Sequence, residues 1–566
     1  MPGSFVVRSL SCAAYSSRPP RSLPLASAAG LLFRVFCFGR RSLGLIVVLG
    51  LICGSSFGEG QYKTTKKTKV APQAPVSVPS AASLSPAAAS QLASALKMVQ
   101  SGQYQAAVPL LYSLSRRSEF EREKMQIKYI LGSALMDLGL NQIAAFQFVE
   151  VIKNGNSHYV RQAIEKLSLA ADQLGDDTLL NYAVSRIKIE DIPAASKDLI
   201  YFRLGEVKLK AGQLSQALDL FGRVPEGSRY FFLSRVNKGL ALLEEGKPQE
   251  AISTYKALVG YRANAYVTDT NRVVAQLGLA RAYYQATDWE NSIATYREIP
   301  RDHPLWHEAL FESSWALVRA ARFRSALSNF QSLHSAYYED FFLPESLLLR
   351  SIVYLYVCKY DEMAKVLDLF EKTYGPIRAQ MSGFMSNNSD PVAFYNEVDQ
   401  ANNIRLGRPG RTKLPLKVDN QILHEGDVKR AFAYLKILND EKNKLDSMPN
   451  ISRSPMGAVG RKILGNRYKN AKIFIGEMTK AHLLEMRAEL KDQYEQASFI
   501  RYEMINGEKE VLKKRIAGKD APKVMLNDNI DRSVYAQNGY EYWPFDGEYW
   551  LDEIGNYHYL GNQSCE

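Results

Sequence analysis

The chain has no uninterrupted apolar stretch of the length that a bilayer-crossing helix needs, about 20 residues, so no transmembrane span is expected in the mature protein. Cysteine is scarce. There are five in 566 residues, and Cys12, Cys37 and Cys53 all lie in an amino-terminal targeting region. Cys358 and Cys565 remain, too few for a disulfide framework or a cysteine zinc site; Cys565 is open to either a free or a cross-linked reading. Acids and lysines are absent before Glu59, whereas six arginines occur there (8, 18, 21, 34, 40 and 41). They account for half of the formal charge of +12, so the isoelectric point does not argue for nucleic-acid binding.

Catalytic signatures are missing as well. The sequence holds no phosphate-binding glycine loop, no dinucleotide fingerprint, no Gly-x-Ser-x-Gly elbow and no His-Glu-x-x-His. His303 and His307 have the spacing of a helical metal pair, but Pro304 between them puts His303 outside the helix and no third ligand is near. Asp546, Glu548, Asp552 and Glu553 cluster as the carboxylates of a glycosidase pair do, and equally as acids solvating a turn. No catalytic, cofactor-binding or metal residue is assigned.

What is present is repetition. Leu204-Gly205, Gly212, Ala217 and Phe221 recur as Gly239, Gly246, Ala251 and Tyr255, each matched pair 34 residues apart. Two amphipathic helices with a short turn give that layout. The first glycine and the alanine are small where the two helices cross, and the aromatic residue fills the gap toward the next unit. The small residue recurs as Ala107, Ala144, Ala183, Ala217, Ala251, Ser292, Ala326 and Met363. An aromatic residue at the turn recurs as Tyr104, Trp289, Phe323 and Tyr360, and Trp289 and Phe323 are expected between helices. Cys358 falls in the interhelical small-residue slot of its unit and is expected as a buried thiol. One such pair cannot bury its apolar face alone, so stacked neighbours are required.

This pattern resembles the tetratricopeptide repeat (TPR). The resemblance implies an α-solenoid over about eight units, residues 89–375, whose first helices line a concave, protein-binding face. Carrying over the family's groove positions gives Lys210, Glu244, Arg281, Tyr284, Trp315, Arg319 and Tyr356. The two-lysine carboxylate clamp of some family members is not evident, so an acidic carboxyl-terminal peptide is not implied as ligand.

The rest divides by composition. Arg40-Arg41 followed by the apolar run Leu43–Cys53 and small residues to Gly58 describes a secretory signal peptide, with residues 1–58 as a targeting segment. Residues 59–88, rich in Lys, Ala, Pro and Ser, read as a disordered tether. Gly375-Pro376 is expected to break the helix and open an irregular connection, 376–420. A long helical hairpin follows over 421–517, with a strict heptad seam from Leu483 to Val511 that could also support self-association. The aromatic-rich segment 518–566 suits a small β-meander, used as a cap or as a glycan-binding surface.

The fold class expected is therefore all-α: a TPR solenoid, a long hairpin or coiled coil, and a small β-like carboxyl-terminal segment. As a whole the chain is similar to exported TPR envelope proteins of gliding and predatory bacteria, including the adventurous gliding motility type. That likeness implies a non-enzymatic scaffold in the periplasm or at the outer membrane of a Gram-negative bacterium, binding other envelope proteins. The alternative is a glycan-binding or glycan-cleaving envelope protein acting through the carboxyl-terminal aromatic segment.

Overall fold

A computed structural model describes residues 84–154, 159–181 (except 177 and 180), 194–262, 266–517 and 549–559. Among these residues every regular element is helical and no strand occurs. The targeting segment, most of the tether and most of the expected β-meander lie outside the described residues. Residues 551–556, which are described, form turns.

Helices pack as successive pairs. They are α1 (Pro86–Gln100) with α2 (Tyr104–Leu114), α3 (Lys124–Asp137) with α4 (Asn141–Lys153), and α5 (Val160–Leu174) at the head of the third pair. Then come α6 (Lys197–Lys210) with α7 (Leu214–Gly222), α8 (Phe231–Glu244) with α9 (Pro248–Val259), and α10 (Asp269–Gln285) with α11 (Trp289–Arg297). The last two pairs are α12 (Trp306–Arg319) with α13 (Phe323–Leu333), and α14 (Pro344–Tyr356) with α15 (Tyr360–Asn387). Each second helix carries the small residue that the register assigns to it, except that Ala183 lies outside the described residues. Ala107, Ala144, Ala217, Ala251, Ala326 and Met363 are fully buried. Ser292 fills the same slot with its hydroxyl donating to the Ala280 carbonyl at 2.9 Å, so the polar atom is satisfied inside the array.

The glycine of the first helix is small for a reason different from the expected helix crossing. A Cβ on Gly205 would lie 2.5 Å from the Phe221 ring, and one on Gly239 would lie 2.5 Å from that of Tyr255. Tyr255 is also in contact with the next pair, since a Cβ on Gly278 would meet the same ring at 2.5 Å. The ring is therefore gripped by two successive first helices, and its hydroxyl donates to the Val236 carbonyl at 3.1 Å.

Past the pairs the chain stays helical. Helix α15 runs straight through Gly375 and Pro376 to Asn387, which corrects the expected break. Tertiary packing there overrides the lost hydrogen bond: Phe370 lies 5.0 Å from the Tyr494 ring, and Tyr374 and Ile377 are buried. The expected irregular connection contains α16 (Pro391–Arg405) and α17 (Leu416–His424). Its basic Gly/Pro loop is tied down because Glu397 accepts the Leu414 backbone N–H at 2.7 Å.

The hairpin is present as α18 (Gly426–Asp446) and α20 (Pro455–Ile516), with the single turn α19 (Pro449–Ser452) between them. Helix α20 is 62 residues long. Its early part touches α2 and α4, its middle packs on α16 and α18, and its last third packs on α14 and α15. Leu483, Met486, Leu490, Ile500 and Met504 are buried within this same chain. The heptad seam is thus an intramolecular one, which corrects its reading as a self-association surface.

Candidate functional site

The seven residues expected in the groove meet different fates. Arg281 is 3% exposed and Trp315 is 7% exposed, so both are interior. The Arg281 guanidinium reaches Glu312 at 2.6 Å and Glu308 at 2.6 Å, and Tyr296 donates to the same Glu312 at 2.9 Å. Burial opposes the charge on Arg281, but the two carboxylates outweigh it and hold the guanidinium ionised. Lys210 and Glu244 end their helices at exposed positions. Although Glu244 is exposed as a whole, partial desolvation of its carboxylate raises it to about 6.

Tyr284, Arg319 and Tyr356 come together with two residues that sequence reasoning placed between helices. Trp289 meets Tyr284 edge-on at 5.0 Å, and the Arg319 guanidinium lies 5.2 Å from the centre of the Trp289 ring. Phe323 stacks on Tyr356 at 5.0 Å with the planes 13° apart. Burial raises Tyr284 to about 12, and also raises Tyr356; the Arg319 charge pulls both the other way. The five side chains form one row across the last three pairs. The logic is local: each turn aromatic reaches the end of the next pair's first helix. Tyr360, the turn aromatic of the final pair, instead meets Gly507 of α20, where a Cβ would sit 2.5 Å from its hydroxyl. The periodic turn aromatic was the signal in the sequence; what it touches was not.

The earlier pairs are engaged by the chain's own hairpin. Glu441 of α18 accepts the backbone N–H groups of Gln142 (2.9 Å) and Ile143 (3.1 Å), capping the start of α4. Tyr434 donates to Gln142 at 2.6 Å, and Arg467 of α20 pairs with Asp176 at 3.1 Å. Asp427, at the head of α18, feels the Lys210 charge and faces His482 of α20 at 3.2 Å. Burial opposes protonation of His482, yet Asp427 and Glu485 raise it to about 10.

Among the described residues the two histidines of the candidate metal pair are engaged locally. His307 is used by the Pro304 carbonyl at 2.9 Å, and His303 accepts the Leu305 N–H at 3.1 Å. Among the described residues no group of three or more His, Cys, Asp or Glu side chains is placed to hold a metal. No described helix is long and apolar enough to cross a membrane. Asp546 and Glu548 lie outside the described residues, and Asp552 is exposed in a turn. Cys358 sits at φ +54° between α14 and α15 and is disulfide-bonded, which corrects its reading as a buried free thiol. The corresponding turns use Gly102, Gly139, Gly175, Gly212, Gly246, Thr287 and Ala321, all with positive φ.

Residues 236–305 match the family model of the tetratricopeptide repeat. The match covers the second half of α8, α9, α10 and α11, the same stretch in which Tyr255 is gripped by Gly239 and Gly278. No curated protein matches the chain. Among solved structures, the crystal structure of the P58(IPK) TPR domain is similar over 68% of this chain and 97% of that one, at 14% identity. Its TM-score of 0.18 is too low to carry an argument. The likeness to gliding-motility envelope proteins finds no support in these comparisons.

Proposed function

We propose that this tetratricopeptide repeat protein is a non-enzymatic scaffold of the cell envelope, exported to the periplasm or outer membrane, that captures a protein partner on the row Tyr284, Trp289, Arg319, Phe323 and Tyr356. The observation that supports it is the row itself: aromatic rings and an arginine, the residue types that dominate binding hot spots, held together by ring stacking and a cation–π contact. Arg319 and Tyr356 are exposed at its open edge. A partner segment offering an aromatic or apolar side chain beside a carboxylate would complement the exposed surface of both. Lys210 and Glu244 extend the same set of first-helix ends, whereas Arg281 and Trp315 support it from inside.

The test is the double variant Arg319→Ala/Tyr356→Ala, with a partner captured from envelope extract. Each truncation is expected to cost about 1–2 kcal/mol of binding, at least tenfold for the pair. The melting temperature should change little. Unchanged affinity with an intact fold would remove this row from the mechanism. Export is supported by Arg40-Arg41, the apolar run Leu43–Cys53 and the small residues up to Gly58. Amino-terminal sequencing of the native protein should find a chain beginning near Glu59; a cytosolic chain retaining Arg40-Arg41 would overturn it.

A further inference from the structure

We infer that Cys358 is bonded to Cys565 of the same chain, so that the carboxyl-terminal segment is locked covalently onto the last two repeat pairs. Cys358 is disulfide-bonded, and it is the only cysteine among the described residues, so its partner is one of Cys12, Cys37, Cys53 and Cys565. The path of the carboxyl-terminal segment selects among them. Tyr549 accepts a hydrogen bond from Gln331 at 3.3 Å, Gly555 donates its N–H to Ser332 at 2.7 Å, and Tyr559 donates its N–H to Ser328 at 2.9 Å. These three acceptor and donor side chains share one face of α13. Ile554 is 4% exposed, and Gly555 lies so close to Trp306 that a Cβ would sit 2.7 Å from the indole. Arg301 adds a hydrogen bond to Asn556.

This docking brings the chain to the turn that carries Cys358. Burial raises the Tyr559 phenol, and Tyr354 and Glu362, the next groups to act on it, raise it further. Those two residues lie four before and four after Cys358. Cys565 is six residues beyond Tyr559, a reach of roughly 20 Å for an extended chain. The loop to be closed from an anchored Tyr559 is short, which favours this pairing entropically over one drawn from the distant amino-terminal cysteines. Cys358 also occupies a left-handed turn position that five other pairs give to glycine, where a Cβ is strained. Its sulfur accepts a contact from the Tyr360 hydroxyl at 3.6 Å.

The bond forms by thiol–disulfide exchange with a disulfide donor of the compartment. One cysteine thiolate attacks the donor disulfide, breaking its S–S bond and releasing one donor thiolate. The second cysteine thiolate attacks the mixed disulfide, closing the new S–S bond and releasing the other donor thiolate. The two cysteines lose two protons and two electrons, and the donor gains both electrons. The scaffold reading does not depend on this bond, nor the bond on the row at Arg319.

Full-length protein from its native source, alkylated with iodoacetamide without reductant and then digested, should yield one linked peptide pair containing Cys358 and Cys565, from a chain that migrates as a monomer on a non-reducing gel. Cys565→Ser should expose one further alkylatable thiol per chain, at Cys358, and Cys358→Ser should likewise expose one at Cys565. Alkylated Cys358 in the unreduced wild type, linkage to any other cysteine, or a linked dimer would overturn the assignment.

Discussion

Arg281 meets Glu312 through two nitrogens, Nε to Oε2 at 2.8 Å and Nη2 to Oε1 at 2.6 Å, with both side chains buried between successive first helices. A fork-to-carboxylate geometry of this kind fixes orientation as well as charge. It also turns a residue with the right position for ligand binding into part of the array's interior.

Breaking that pair from one side leaves an uncompensated buried charge. Arg281→Met alone, or Glu312→Leu alone, should lower stability by about 3–5 kcal/mol. The double variant should cost clearly less than the two added together, because neither charge is then stranded. Urea unfolding of the three variants checks it. An unchanged midpoint for Arg281→Met would mean that the pair is not buried as described.

The grip on Tyr255 makes opposite predictions for two glycines in helices. Gly239→Ala should cost about 1–3 kcal/mol by overpacking, since its Cβ would sit 2.5 Å from the ring. Gly383→Ala, in α15 with nothing within 4 Å of the added Cβ, should stabilise by about 0.5–1 kcal/mol. Thermal melts of both variants test the contrast, and the same sign for both would sink it.

His482 sets a pH window. Its folded value of about 10 lies above the ordinary value of about 6.5, so the folded chain holds a proton that the unfolded chain gives up. The contribution is full below about pH 6.5 and is lost as pH rises through about 10. Replacing it by His482→Gln should therefore destabilise at pH 6, with the gap to wild type shrinking as pH approaches 10. A gap that grew with pH would contradict the ion pair with Asp427.

The repeat register was legible because residue type and spacing are forced together: a small residue in the second helix and a ring four positions on, as in Ala251 and Tyr255. The hairpin over 421–517 was legible too, but what α20 packs against was not. Residues 455–482 contain several glycines, which weaken a helical reading, and their cause is tertiary. A Cβ on Gly476 would lie 1.9 Å from the Pro391 carbonyl oxygen, and one on Gly460 would lie 2.8 Å from Ile143. A neighbouring backbone approaches closely at Gly476 and a neighbouring side chain at Gly460, and only the partner helices explain why. Pro376 misled for the same reason, since packing of α15 against α20 outweighs one lost backbone bond. The groove positions follow from the register, but burial depends on neighbours: Arg319 ends its helix at the surface while Trp315, one turn earlier, faces inward.

Open arrays of repeats can add or lose a unit during evolution, because each unit contacts only its neighbours. Here α20 joins Ile143 near one end, through Gly460, to Tyr360 near the other, through Gly507. A continuous helix of 62 residues is roughly 93 Å long and cannot stretch. It acts as a gauge: a unit inserted or deleted between α4 and α14 would put one of its two ends out of register. The number of repeats between those points is thereby tied to the length of a single helix encoded more than 300 residues downstream of α4.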